Sequence, residues 1–231
     1  QTFLSPQKMQ PAHGESKSVD LGNRYTCLVD AEDRLKCLGY GASGQLGRND
    51  TSDSMIAMSP YGLEDTDVTS VSAGYEHTCA VLDDGSLKCW GNNGYGQLGL
   101  GSTTQQTTPQ SVSLGTGRTA VSVSAGSFHT CAVLDDGSLK CWGYNAFGQL
   151  GLGSTTQQTT PQTVSLGTGR TAVSVSAWTS HTCAVLDDGS LKCWGLNGYG
   201  QLGLGSTTQQ TTPQSVSLGT GRTAVSVSAG S

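Results

Sequence analysis

Three stretches of this chain repeat almost letter for letter at a spacing of 52 residues: CAVLDDGSLKCWGNNGYGQLG from Cys79, CAVLDDGSLKCWGYNAFGQLG from Cys131 and CAVLDDGSLKCWGLNGYGQLG from Cys183. A period of this size marks a repeat architecture, in which one supersecondary unit cannot bury its own apolar face and stacks on its neighbours. The units contain short alternating stretches punctuated by Gly, Asp, Ser and Thr. With 33 glycines and 35% hydrophobic residues, the chain is suited to tight turns and short strands rather than helices. Four full units fit, at 18–69, 70–121, 122–173 and 174–225, the first of them divergent. Residues 226–231 read as the first strand of an unfinished fifth. Residues 1–17 read as a segment that closes or links, because Ser5-Pro6-Gln7 echoes the Thr-Pro-Gln of the repeats. The arithmetic predicts a piece of a longer protein, a ring of few units, or an open arc whose edge another subunit covers.

Within the unit 122–173, Ser122-Val123-Ser124-Ala125 predicts a strand A, His129 to Leu134 a strand B and Ser138 to Trp142 a strand C. A polar loop, GQLGLGSTTQQTTPQ, then leads to Thr163-Val164-Ser165-Leu166 as strand D. Four short antiparallel strands per repeat predict an all-β fold, a β-propeller or open propeller-like arc of four-stranded blades.

All eight cysteines fall into pairs ten residues apart: Cys27 and Cys37, Cys79 and Cys89, Cys131 and Cys141, Cys183 and Cys193. If Asp83-Asp84-Gly85 is a hairpin loop, Leu82 lies opposite Ser86, Val81 opposite Leu87 and Cys79 opposite Cys89. Directly opposed strand residues lie within disulfide reach, so one disulfide is expected in every repeat. A zinc site is the rival, but zinc pairs are usually two to four residues apart on a tight knuckle, and the histidines beside the cysteines, His77, His129 and His181, are their immediate neighbours. Disulfides lead to the expectation of an extracellular or periplasmic location, or one on a cell or virion surface. A start at Gln1 without methionine fits a chain from which a secretion signal has been removed.

The string A-G-x-x-H-T-x-A-V-x-x-D-G-x-L-x-x-W-G-x-N-x-x-G-Q-L-G, present from Ala73 to Gly99 and again from Ala125 to Gly151, resembles the repeat of the regulator of chromosome condensation family. That resemblance implies a propeller, usually of seven blades, acting as a nucleotide-exchange factor for a nuclear GTPase, an inhibitor of β-lactamases or an ultraviolet-B photoreceptor. Repeat one departs from the pattern: Tyr25 stands at the histidine position and Leu38 at the tryptophan position. The photoreceptor reading needs Gly-Trp-Arg-His-Thr strings, whereas only Trp178 stands at that tryptophan, followed by Thr179 and Ser180. Exchange activity inside a cell sits badly with four disulfides. Trp90, Trp142 and Trp194 are expected to pack between blades, and the three histidines to bond a neighbouring blade.

Repeats two to four differ mainly in two windows. One is Gly74-Tyr75-Glu76, Gly126-Ser127-Phe128 and Trp178-Thr179-Ser180; the other runs Asn92 to Tyr95, Tyr144 to Phe147 and Leu196 to Tyr199. In a four-stranded meander the A–B and C–D connections leave at one end, so both windows decorate one rim. Aromatic anchors beside adaptable polar groups are the chemistry of binding surfaces. The expected recognition face is Tyr75, Glu76, Asn92, Ser127, Phe128, Tyr144, Trp178, Thr179, Ser180 and Leu196, presented to a protein or glycan. Neutral drift after duplication is the competing account, but drift would also have altered the STTQQTTPQ loop, which is identical three times.

A net charge of −5 without a basic block argues against nucleic acid, and no apolar run approaches a membrane span. There is no nucleophile elbow or phosphate loop, so no enzyme, cofactor or metal is expected. The alternative function is a structural subunit of a surface fibre, coat or matrix, assembling through terminal strands. Asn49-Asp50-Thr51 is a glycosylation sequon, with Asn49 as its acceptor.

Overall fold

The computed structural model describes residues 16–230. It contains sixteen strands and, among the described residues, no helix. Four consecutive sheets of four antiparallel strands follow one another along the chain. Blade 1 is β1 (Ser18–Leu21), β2 (Tyr25–Val29), β3 (Leu35–Gly39) and β4 (Ser54–Met58). Blade 2 is β5 (Val68–Ala73), β6 (His77–Leu82), β7 (Leu87–Gly91) and β8 (Gln106–Ser111). Blade 3 is β9 (Ala120–Ala125), β10 (His129–Leu134), β11 (Leu139–Gly143) and β12 (Gln158–Thr163), and blade 4 is β13 (Ala172–Ala177), β14 (His181–Leu186), β15 (Leu191–Gly195) and β16 (Gln210–Val216). The closing or linking role expected of residues 1–17 falls almost wholly on residues outside the described ones.

The first strands of the blades converge: β5 packs on β1 and β2, β9 on β5 and β6, β13 on β9 and β10. Serines tie this inner ring together, since Ser72 Oγ accepts from the Ala125 amide (3.0 Å) and Ser124 Oγ from the Ala177 amide (2.9 Å). Second strands with a blade on either side, such as His129–Leu134, are buried on both faces. The core is accordingly a row of inter-blade clusters, for example Cys79, Val81, Leu87 and Leu98 of blade 2 against Val123, Ala132, Leu134 and Trp142 of blade 3.

The hairpin register is the one expected from the turn. Val81 pairs with Leu87 and Cys79 with Cys89, and Asp83-Asp84-Gly85 forms a three-residue loop with Gly85 at φ 76°, the left-handed position such loops require. All eight cysteines are joined as expected, Cys27–Cys37, Cys79–Cys89, Cys131–Cys141 and Cys183–Cys193, each at a Cα–Cα distance of 4.1 Å.

The fourth strand differs from expectation. It is Gln158–Thr163 rather than Thr163–Leu166, so part of the presumed polar loop is the strand. Val164 and Leu166 follow it and plug the junction with blade 4. An outermost strand needs no apolar alternation, and Pro161 is tolerated because the strand lies at an edge. Residues 226–230 also differ: they form no ladder, since a strand exists only beside a partner. They nonetheless lie against blade 4, with the Ala229 amide donating to Ser176 Oγ (2.9 Å) as at the earlier junctions.

Candidate binding rim

Every junction between blades is built on one backbone carbonyl of the Gly-Gln-Leu-Gly loop. Trp142 Nε1 and the Thr130 hydroxyl of blade 3 both donate to the Gln97 carbonyl of blade 2, at 2.9 and 2.8 Å, filling both its lone pairs. Trp194 and Thr182 do the same to Gln149, and Trp90 and Thr78 to Gln45. Because the Thr130 proton is committed to Gln97, its oxygen accepts from His77 Nε2–H at 2.8 Å; His129 is likewise bonded to Thr182. This leaves Nδ1 of His77 and His129 buried without a partner. Protonation there would bury a charge that nothing accepts, and burial pushes both histidines down to about 3. His181 is lowered for the same reason.

In blade 1 Tyr25 replaces the histidine and reaches the same place, its hydroxyl donating to the His77 carbonyl at 2.6 Å. These side chains, repeated from blade to blade, thus hold the blades in register. Trp142→Ala, which empties a fully buried site and removes a donor, is expected to cost about 3–5 kcal/mol, read as a lower urea midpoint at unchanged slope.

On this scaffold the two variable windows meet. The Asn92 amide donates to the Glu76 carbonyl, Tyr144 to Phe128 and Leu196 to Ser180, each at 2.8 Å. Both windows therefore occupy one rim, while the Asp-Asp-Gly turns bond the inter-blade links at the other, as Asp135 does through its amide to the Thr119 carbonyl (3.0 Å).

The rim carries a chain of aromatic contacts across blades 2 and 3. Ring centroids are 5.8 Å apart for Tyr75 and Phe128, 5.2 Å for Tyr95 and Phe128, 4.8 Å for Tyr95 and Tyr144, and 6.3 Å for Tyr144 and Phe147. All four pairs are tilted or edge-on, the arrangement favoured by ring quadrupoles. Beside the cluster, towards the inner strands, opens a pocket of about 570 Å³ walled by Leu21, Tyr75, Phe128 and Trp178. Its floor includes Gly74, where a Cβ would lie 2.5 Å from the Gly126 carbonyl oxygen of the next blade. Asn23, Ser127 and Thr179 supply its polar groups. Among the described residues, no charged side chain lines it. The opposite rim is charged, with Arg118 paired to Asp135 and Asp136 (3.4 and 3.0 Å) and Arg170 to Asp187 and Asp188 (3.2 and 3.1 Å).

Of the ten expected face residues, the structure gathers Tyr75, Ser127, Phe128, Trp178 and Thr179 at the pocket and joins Tyr144 through its ring contacts. Glu76 and Asn92 are tied into the frame: the Glu76 carboxylate accepts from Ser43 Oγ (3.0 Å) and Asn92 Nδ2 (3.1 Å), and Asn92 Oδ1 accepts from the Gly94 amide (3.0 Å). Ser180 is buried, and Leu196 stands half-buried outside the ring cluster. Tyr95 and Phe147 close the second variable window but are not among the expected face residues, because their position changes only between tyrosine and phenylalanine. Leu21 and Asn23 were hidden in the divergent repeat. Among the described residues, no group of three or more His, Cys, Asp or Glu side chains could hold a metal ion, and no helix is long and apolar enough to cross a membrane.

The profile of the RCC1-like domain matches residues 2–231. The ultraviolet-B receptor UVR8 of Arabidopsis thaliana is 33% identical over 229 residues, 99% of this chain and 52% of the receptor. The chain thus spans about half the length of that relative. Among solved structures, human WBSCR16 superposes with a TM-score of 0.83 at 23% identity, covering 92% of this chain and 55% of that one. Yeast RCC1 (Prp20), solved bound to Kap60, gives 0.78 at 22% identity, covering 90% and 50%.

Proposed function

The chain belongs to the RCC1-like domain family, and from that premise we propose that it is a non-enzymatic, extracellular binding propeller that presents its aromatic rim to a protein partner. The observation that carries this reading is the uncharged cluster and pocket assembled from the windows in which otherwise identical repeats differ. Rigid aromatic rings around a concave site are what interface hot spots are made of. Yeast RCC1, which shares this fold, is seen in complex with a protein. Four disulfides support an oxidising compartment.

The test presents immobilised wild-type protein to an extracellular protein fraction and, separately, to a glycan array. Phe128→Ala and Trp178→Ala are each expected to weaken capture of a protein by about 30-fold, the equivalent of a ~2 kcal/mol hot spot. The opposite-rim variant Asp135→Ala/Asp187→Ala should bind as wild type does. Equal binding by the rim variants, or equal loss in the opposite-rim variant, sinks the reading; capture confined to the glycan array moves the partner to a carbohydrate.

A further inference from the structure

We propose that Asn49 is N-glycosylated and that its glycan covers a bare apolar edge on the first blade. The internal repeats supply the comparison. At the place of Asn49 the other blades carry Gly101, Gly153 and Gly205, at φ 75°, 74° and 70°, and Asn49 keeps that conformation at φ 64°. Its amide donates to the Thr107 carbonyl at 2.9 Å, as Gly101 does to Thr159 and Gly153 to Thr211. Glycine fills a left-handed slot without strain, and asparagine is its best-tolerated replacement. So the slot is unchanged in backbone and altered only by an exposed acceptor side chain, with exposed Thr51 two residues on.

The second observation is the strand beside that loop. Within β4, Met55, Ile56 and Met58 are 99%, 67% and 42% exposed. The corresponding strands of the other blades read Gln-Thr-Thr-Pro-Gln. Their polar side chains and proline blunt an outer edge that would otherwise pair with another chain, and β4 has neither device. The sequon loop is clamped to this strand: Arg48 Nη1 lies 3.5 Å from Met58 Sδ, while Nη2 donates to the Ser52 carbonyl (2.8 Å) and Asp50 Oδ1 (3.0 Å). A hydrophilic oligosaccharide on Asn49 is therefore placed to do for β4 what proline and threonine do for β8, β12 and β16.

The modification needs a lipid-pyrophosphate-linked oligosaccharide and its transferase, both of the secretory route that disulfide formation uses. The Asn49 amide nitrogen bonds to C1 of the reducing-end sugar; the bond from C1 to the pyrophosphate oxygen breaks, the amide gives up one proton and the lipid pyrophosphate leaves. The proposal is independent of the rim.

The experiment secretes the full chain from a eukaryotic host as wild type, Thr51→Ala and Asn49→Gly. Asn49→Gly copies the residue of the other blades, so it tests glycan loss without a foreign backbone demand. Wild type is expected to exceed the polypeptide mass by an oligosaccharide that peptide-N-glycosidase removes, leaving Asp at position 49. Both variants should have the polypeptide mass and shift from monomer to dimer and larger species in size-exclusion chromatography as concentration rises, a shift abolished by adding Ile56→Lys. Wild type at the bare polypeptide mass overturns the proposal. Variants that stay monomeric, or whose association survives Ile56→Lys, overturn the covering role of the glycan.

Discussion

Reduction of the four disulfides is expected to unfold the protein at room temperature. Each bridge closes a hairpin with a sequence separation of 10, and loop-entropy estimates give about 2.8 kcal/mol for a loop of that order. The bridges lie in four separate clusters, one per blade, so their contributions add to a first approximation. The sum, roughly 11 kcal/mol, equals the whole stability of an ordinary domain. Guanidinium titration of the oxidised protein and of its reduced, alkylated form measures the difference directly. Cys183 and Cys193, at 5% and 3% exposure where the others stand at 0%, are expected to be alkylated first in partial reduction. A reduced protein that keeps its midpoint within ~2 kcal/mol of the oxidised form would mean that blade packing alone holds the fold.

Stability is expected to be level above about pH 7 and to fall steeply on acidification. His77 and His129 are held by burial at about 3 in the folded state, against ~6.5 when unfolded. Between those values the unfolded chain binds more protons, so stability rises with pH through this window and is complete above it. The two histidines together set a slope approaching ~2.7 kcal/mol per pH unit, and His181 adds in the same direction. Asp84 and Asp136, lowered by hydrogen bonds from Ser86 and Ser138, lose their contribution only at more acid pH. Melting temperatures at intervals from pH 7.5 to 5 isolate the histidines. A flat profile over that range contradicts the neutral, Nε2-protonated junction, and His129→Asn should lower the slope by roughly a third to a half if the junction is as described.

Much of this architecture was legible in the residues. Hairpin register followed from the length of Asp83-Asp84-Gly85, because side-chain alternation leaves one pairing that brings Cys79 to Cys89 and keeps Val81 and Leu87 together. The shared rim followed from meander topology and the placing of differences between copies. The outer strand did not, since Gln158–Thr163 faces solvent and carries no apolar period, while Val164 and Leu166, which look like a strand, are junction plugs. Within the candidate rim, comparison of repeats found Tyr75, Phe128, Tyr144 and Trp178 but left out Tyr95 and Phe147, which close the second window and vary only between tyrosine and phenylalanine. It also gave Glu76 and Asn92 to the surface when their polar atoms largely organise the frame.

The sequence by itself determined the repeat, the four-strand unit, the disulfide partners and the end of the blade where variation gathers. These depend on spacing and alternation within one unit. Tertiary structure alone decided which side chains meet across units: the His77–Thr130–Gln97–Trp142 junction, the ring contacts linking Tyr95 to Phe128, and the pocket between Tyr75 and Trp178. Such contacts depend on the angle at which one blade packs on the next. That angle is set by the summed burial of many side chains at the interface, and no local pattern encodes it.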